Sequence, residues 1–452
     1  MPAQNYVLLE RVEVGEAGAS SITFNSIPQT GYTDLKVVVS ARDNDTIGSY
    51  VAISFNGVTT NLSSRLLRGS GSAVVSQTET TLVYSAGNAN SYTASTFGNS
   101  EFYISNYTSA NYKSISADGT NENNATASYM YLTAGLWSST AAITSITLTP
   151  GAPSFKQYSS FSLYGLAAVG TTPTRAPKAT GGSIIQTDGT YWYHAFLASG
   201  TFTPAVGLSC DVLVVAGGGG GTGNAGGGGG AGGLLGFVSQ SISTAQTVTV
   251  GGGGAGAVST SNGTVGVDSQ FGSLTLVKGG GYGGTLANAG GNGGSGGGGG
   301  NGQGVTRFAG GTATSGQGNN GGIGNLQSDG VGNNGGGGGG AGAVGQAAPT
   351  GTTIGGAGGI GSNAYSSWAT ATSTGDSGYY AGGGGGGCNV SNGANASGGT
   401  GGGGFGATTT TTKNGGAGTA NTGGGGGAGQ SPSSSATGGK GGSGIVIIRY
   451  AV

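Results

Sequence analysis

Between Cys210 and Gly233 the chain reads CDVLVVAGGGGGTGNAGGGGGAGG, an apolar strand running directly into glycine. Glycine has no side chain to bury, so a segment made of it cannot build a hydrophobic core. Such a stretch is either an unstructured tether or a structure in which the backbone is itself the packing material. Glycine runs recur at 217–221, 226–230, 251–254, 296–300, 335–340, 382–387, 401–404 and 423–427. Near-copies such as GGGGGAGG (226–233), GGGGGGAGA (335–343) and GGGGGAGQ (423–430) repeat a composition without a fixed solenoid period.

Three conformations compete for these runs. A collagen helix needs glycine at every third position and abundant proline, whereas this chain has runs of five and six glycines and 9 prolines in all. A flexible linker would carry no apolar residues, yet Leu234, Leu235, Phe237, Phe271, Leu274, Leu276, Phe308 and Phe405 recur among the runs. A linker also has no use for the terminal GGSGIVIIRYAV, a strand as apolar as VLVV that would aggregate if left unpaired. The third conformation is the extended polyglycine II helix, with about three residues per turn and no internal hydrogen bonds. Packed side by side, such helices satisfy each other's peptides, and only glycine lets backbones approach on every side. Short glycine runs separated by Asn, Ser, Thr and Ala turns fit a chain passing back and forth through such a lattice. VLVV and IVIIRY then pair and close it like a clasp.

The remainder of the chain is of another kind. Only 14 of the 110 glycines fall within residues 1–175. There, β-branched and aromatic runs alternate with Asn, Asp, Gly and Ser, as in YVLLERVEV (6–14), LKVVVSAR (35–42), YVAISF (50–55), EFYISNY (101–107), SYMYLTAGLW (128–137) and SSFSLYGL (159–166). This pattern predicts an all-β sandwich of jelly-roll type over 1–169. Asn56-Gly57 after YVAISF predicts a tight hairpin, and the imperfect alternation in ITSITLT predicts a bulge. GTTPTRAPKATGGS (170–183) reads as a linker, and residues 184–452 as the glycine-rich domain, opening with a hairpin across Asp188-Gly189.

The arrangement VLVVAGGGGG … GGSGIVIIRY resembles the glycine-rich domains of bacteriophage tail-fibre and adhesin proteins, over residues 184–452. NYTSANYKSIS, NNATASY and YSSFSLYGL resemble β-sandwich domains of phage virion proteins. The resemblance implies a sandwich of polyglycine II helices whose loops at one end bind a host-surface glycan or outer-membrane protein. It also implies a homo-oligomer, with a trimer as the default for fibres, and other virion subunits as partners.

Charge and chemistry narrow the alternatives. Charged residues make up 6% of the chain and the formal net charge is −1, which offers no electrostatic footprint for nucleic acid or anionic lipid. No apolar run approaches the roughly 18 residues of a membrane span, and Glu10, Arg11 and Glu13 interrupt any signal-peptide core. The expected location is therefore the virion or the extracellular space. His194, alone in YWYHAF, reads as a packed residue rather than a base. GTGNAG (221–226) follows a strand but no helix-forming segment follows it, so it is not a dinucleotide fingerprint. Carboxylates for sugar hydrolysis would have to come from the scattered Asp268, Asp329 and Asp376. No catalytic residue, metal or cofactor is expected, and Cys210 and Cys388 read as free thiols or one long-range bridge.

The inserts between glycine runs hold most of the domain's aromatic and hydroxyl groups: 303–317, 363–380, 388–397, 405–414 and 430–440. Loops on a rigid scaffold concentrate binding, and Tyr, Trp, Ser, Asn and Gly are the residues paratopes use. Phe308, Tyr365, Trp368, Tyr379 and Tyr380 are the candidates for stacking on sugar rings, with Arg307 and Asp376 adding charged hydrogen bonds. The rival expectation is a filament subunit or capsid decoration without a receptor, in which MPAQNYVLLERVEV is donated as a strand to a neighbour.

Overall fold

The computed structural model describes residues 6–46, 49–121, 128–168, 176–259, 261–286, 288–302, 306–326, 334–388, 396–407, 413–430 and 436–452. The chain divides into two compact units: residues 1–178, 183–192 and 451–452, then 179–182 and 193–450. The division places Ser183–Trp192 with the first unit, where the sequence had assigned 184 onward to the second.

In chain order the first unit contains β1 (Tyr6–Glu13), β2 (Ile22–Phe24), β3 (Tyr32–Ala41), β4 (Ser49–Phe55), β5 (Leu62–Gly69), β6 (Val74–Glu79) and β7 (Tyr84–Gly87). Then come β8 (Gly98–Ile104), β9 (Lys113–Asn121), β10 (Tyr129–Trp137), β11 (Ile146–Pro150), β12 (Ser160–Ala167) and, past the second unit's β13 (Ala179–Thr180), β14 (Ile184–Thr187). The large sheet runs β14-β1-β12-β3-β8-β9-β10-β5-β6 and the small one β2-β11-β4-β7. β9 shows why they stack: its residues alternate buried and exposed without a break from Lys113 to Asn121, so one face must be covered. The cover is the small sheet. Thr133 Oγ1 donates to Tyr84 O at 2.9 Å, and the Phe55 and Trp137 rings meet at 5.3 Å. The expected sandwich is present, but its sheets are unequal, unlike the matched pair of a jelly roll, because β8, β9, β10, β5 and β6 all stay in one layer.

Three local expectations meet different outcomes. Asn56 and Gly57 do form a left-handed turn, with φ of 54° and 70°. The hairpin stops at one antiparallel bridge, Val58 N donating to Phe55 O at 2.9 Å, because β4 pairs with β11 and β7 while β5 pairs with β10 and β6. Asn56 instead ties the turn sideways, its Oδ1 accepting from Thr144 N at 2.8 Å and its Nδ2 donating to Ala142 O at 2.8 Å. The ladder of β11 is regular from Ile146 to Pro150, so the expected bulge is not there; Ile143 lies ahead of the strand, fully buried. β1, the strand expected as a donor, is paired within its own chain along its length with β12 and, at Arg11 and Val12, with β14 on its other edge.

In the second unit, part of the expected linker is a strand: β13 pairs with Thr203 and Pro204 of β16 (Gly200–Pro204). Residues 170–175 of that linker lie outside the described residues. β15 (Tyr191–Phe196) enters the unit at Tyr193, followed by β17 (Leu208–Val215), β18 (Leu234–Ile242), β19 (Gln246–Thr249), β20 (Gln270–Phe271), α1 (Ser366–Thr372) and β21 (Ile445–Ala451). One sheet runs β18-β17-β21-β15 and a smaller one β13-β16-β19-β20. The clasp is as read: β17 and β21 are antiparallel, with Val212 opposite Ile448 and Val215 opposite Ile445. All four of these residues are fully buried.

Between these strands lies the lattice. The amides of 216 and 219 donate to carbonyls of 233 and 230, those of 217 and 220 to 267 and 264, and those of 218 and 221 to 442 and 439. Every third residue therefore faces the same neighbour, at N···O distances of 2.9–3.0 Å. That is the signature of a helix with three residues per turn. The carbonyls point the other way: 217 and 220 accept from 280 and 283, 218 and 221 from 254 and 257, and 219 and 222 from 426 and 429. Three runs accept from this run's amides and the amides of three others donate to its carbonyls, which is hexagonal packing with the buried backbone satisfied. The runs at 226–233 and 335–340 are surrounded in the same way. Side chains are excluded: a Cβ on Gly229 would lie 2.1 Å from Gly219 O, and one on Gly338 would lie 2.0 Å from Gly229 O.

Candidate functional site

The lattice has two ends, and hydrogen-bond register assigns every run to a direction. The 216–221 run leaves β17 and the 226–233 run returns into β18, so 216 and 233 mark the sheet end and 222–225 the far end. Ser295 and Gly298 donate to Ala231 and Gly228, which makes the 294–300 run antiparallel to the returning one and carries it away from the sheet. Arg307 and Phe308 follow it and therefore stand at the far end. Gly356 and Gly359 donate to Gly335 and Gly338, and 228 and 231 donate to 336 and 339; these runs all travel toward the sheet. Residues 362–380 consequently fold over at the sheet end. The seven sequence candidates are thus split between opposite ends and form no common site.

The sheet-end group is structural in its contacts. Trp368, on α1, is 4% exposed. Its ring meets Tyr193 at 6.2 Å and Tyr365 at 5.4 Å, and the Arg449 guanidinium lies 4.5 Å from it. Arg449 is held in turn by Asp211, through Nη2 to Oδ2 at 2.9 Å. Tyr380 is fully buried, its hydroxyl hydrogen-bonded to Thr374 Oγ1 at 2.6 Å, and burial pushes its pKa up to about 12. Neither ring presents a face to solvent, which corrects their assignment as stacking platforms. Within a mostly Ser- and Thr-rich insert, Trp368, Ala369, Thr372 and Tyr380 are the residues turned inward, with Trp368 against Tyr193 of β15 and Arg449 of β21. Asp376 Oδ2 accepts from the amides of Gly401 (3.1 Å) and Gly402 (3.0 Å), closing a neighbouring turn. Tyr379 is half-buried, with Asn363 Nδ2 at 3.5 Å from its hydroxyl, and the half-buried Tyr365 lies over Gly236 of β18.

The far end holds the other two candidates. Arg307 is exposed and Phe308 half-buried. The connections that reach it are spelled in Asn, Thr and Ser: TGNA (222–225), Val258–Asn262, Thr285–Asn288, Asn325, Asn334 and Pro349–Thr353. The runs flanking 303–305, 327–333, 389–395, 408–412 and 431–435 also end there, and those segments, with their share of the expected binding inserts, lie outside the described residues. Sequence reasoning passed over the asparagines. Asn262 Oδ1 accepts from Thr285 N at 2.9 Å, Asn325 Nδ2 donates to Pro349 O at 3.3 Å, and Asn334 Nδ2 donates to Thr352 O at 2.7 Å. Among the described residues of this end, Asn224 Oδ1, Thr285 Oγ1, Asn334 Oδ1 and both amide atoms of Asn301 are buried without a hydrogen-bond partner. The signal that was available is the recurrence of Asn beside a glycine run at alternate connections, a spacing with meaning only once the direction of each run is known.

His194 shows what its burial implies. Nδ1 lies 2.7 Å from Gly181 O, which accepts only, so Nδ1 carries the proton and Nε2 accepts from the Tyr450 hydroxyl at 3.0 Å. The ring is neutral and spans β15, β21 and the strand edge at 181. Cys210 and Cys388 are both buried and unbridged. No helix among the described residues is long and apolar enough to cross a membrane.

Comparison with known proteins agrees with this geometry at the level of the domain. The family described as a glycine-rich domain matches residues 197–451, from the end of β15 to the last residue of β21. No curated protein and no solved structure matches the chain. With more than half of its length matched, the chain belongs to the glycine-rich domain family.

Proposed function

We propose that the chain is a non-enzymatic attachment protein, a virion fibre or adhesin, that binds a cell-surface glycan or protein through the connections at the far end of its lattice. The observation that carries this reading is that a backbone-bonded scaffold gathers Asn-, Ser- and Thr-bearing connections, several with buried amide or hydroxyl atoms lacking a partner, at the end opposite the closing sheet. Uncharged amides and hydroxyls on a rigid base suit hydrogen bonding to neutral ligands at low entropic cost. Of the original candidates, Arg307 and Phe308 remain on this surface. The test is retention of fluorescently labelled full chain on a panel of bacterial cells, beside the Arg307→Ala/Phe308→Ala double variant and a sheet-end control, Ser367→Ala. Loss of retention in the double variant alone is expected. Equal retention of all three proteins, or of none, would overturn the reading.

A filament-subunit reading rests on β6, whose sequence VVSQTE forms an open edge of the large sheet without proline, lysine or a bulge. Electron microscopy of the purified chain separates the two: discrete particles for the adhesin, end-to-end polymers for the subunit.

A further inference from the structure

We infer that the first unit carries a saccharide-binding groove of its own, with the Tyr158 ring as its stacking face. The groove has a volume of about 380 Å³ and lies between the 15–18 turn, the 154–158 loop and the 95–97 loop. That volume falls in the range of small-ligand sites, where a few placed polar groups surround an apolar contact. The apolar lining includes Phe97, Phe155 and Tyr158, and the polar lining includes the Glu16 carboxylate with Asn44, Ser95, Lys156 and Gln157.

Tyr158 is the unusual residue. Its ring is 63% exposed while its backbone sits at φ 70°, a conformation that a bulky side chain rarely adopts. Glycine or asparagine would fill that position without strain, and an exposed ring gives the fold no packing in return. The backbone is held there from both sides: Tyr158 N donates to Val14 O at 2.9 Å, and Ser159 N donates to Lys156 O at 3.1 Å. The opposite wall is fixed as firmly. Arg42, 7% exposed, donates to the carbonyls of Thr93 (2.6 Å), Thr96 (2.9 Å), Asn90 (2.9 Å) and Tyr92 (2.9 Å). Ser95, within that loop, is itself at φ 62°. Two strained residues therefore face one groove on pinned loops, an arrangement that orders the site before any ligand arrives.

A pyranose fits the chemistry. Its C–H face carries partial positive charge and sits well against the negative face of an aromatic ring. Its hydroxyls meet the amides of Asn44 and Gln157, the hydroxyl of Ser95 and the ammonium of Lys156. Lys156 Nζ is already oriented by a hydrogen bond to Asn90 Oδ1. An apolar peptide would leave these polar groups unpaired, at a cost to binding.

The groove belongs to the first unit and is independent of the proposed far-end surface. The test is a glycan array probed with the full chain and with Tyr158→Gly, Tyr158→Asn and Tyr158→Phe. Glycine and asparagine suit the backbone, so these variants fold at least as well as the native chain, and melting curves verify it. Capture of at least one saccharide class is expected, falling more than tenfold in the glycine and asparagine variants and persisting in the phenylalanine one. Capture of nothing would overturn the inference. So would capture that survives Tyr158→Gly, including capture that only Phe308→Ala removes, since that belongs to the far end.

Discussion

Replacing Gly229 with alanine tests the lattice directly, because the rival conformation predicts the opposite sign. In a flexible tether, Gly→Ala restricts the disordered chain and is neutral or mildly stabilising for any order that exists, by roughly 0.4–1 kcal/mol. In the lattice, the new Cβ falls 2.1 Å from Gly219 O and 2.6 Å from Gly219 C. Ordinary contact needs over 3 Å, so the 216–221 run must retreat by about 1 Å. That run is held at this level by Gly219 N to Gly230 O and by Gly426 N to Gly219 O, both 2.9 Å. Losing two buried backbone bonds, each worth about 1–3 kcal/mol when its groups are left unsatisfied, gives a loss of about 2–6 kcal/mol. Gly252 is the internal control, since a Cβ there meets nothing within 4 Å. Scanning calorimetry of the full chain should show Gly229→Ala melting at least 4 °C or so below the native protein, at about 2 °C per kcal/mol, and Gly252→Ala within about 1 °C of it. A Gly229→Ala protein that melts with or above the native chain would refute the lattice argument.

Other expectations follow from single contacts. Trp368→Ala should lower stability by about 3–5 kcal/mol, read in urea unfolding, because it empties the space between Tyr193, Tyr365 and Arg449; a change under 1 kcal/mol would return Trp368 to the surface. His194 is held neutral by burial, its pKa lowered to about 4 against 6.5 in the unfolded chain. The unfolded state therefore takes up a proton first, and stability should decline by about 3 kcal/mol as pH falls from 6.5 to 4, a slope that His194→Gln should remove from pH-dependent melting curves. The Cys210 thiol is pushed up to about 12 by burial, so a thiol reagent at pH 8 should leave Cys210 and the buried Cys388 unmodified until denaturant is added.

What the sequence disclosed is what depends on local pattern. VLVV and IVIIRY are matched in length and apolarity, and together they form the centre of the sheet that closes the lattice. The runs of five and six glycines likewise pointed to a lattice, because no other ordered state uses glycine without proline or a fixed period. What it concealed depends on direction and on tertiary competition. Whether Tyr380 faces solvent or the interior is set by which end of the lattice its insert caps, and that follows from register between runs far apart in sequence. α1 was missed because Ser366–Thr372 has poor intrinsic helix propensity; burial of Trp368, Ala369 and Thr372 holds it. Asn56-Gly57 made its turn but the hairpin went no further than Phe55 and Val58, because β4 and β5 each pair with other strands far away in sequence. Tyr158 gave no warning at all, since a positive φ under a tyrosine is visible only in coordinates.

The threefold repeat has a consequence for how such a protein can change. An ordinary core is a jigsaw, and a loop cannot be rewritten freely where its ends are anchored by side chains that fit only one another. Here the lattice is held by peptide groups rather than by interlocking side chains, and its bonds repeat at every third residue. Away from anchored inserts such as the one holding Trp368, connections can grow, shrink or change composition while the peptide lattice keeps its bonds, so their sequences are open to selection for whatever they touch. The runs themselves are under a stricter arithmetic. Adding three residues advances a run by one whole turn and hands each peptide back to the same neighbour, whereas adding one rotates every peptide by about 120° toward the wrong partner. Drift in the connections and length changes by threes in the runs are the two directions of change this architecture leaves open.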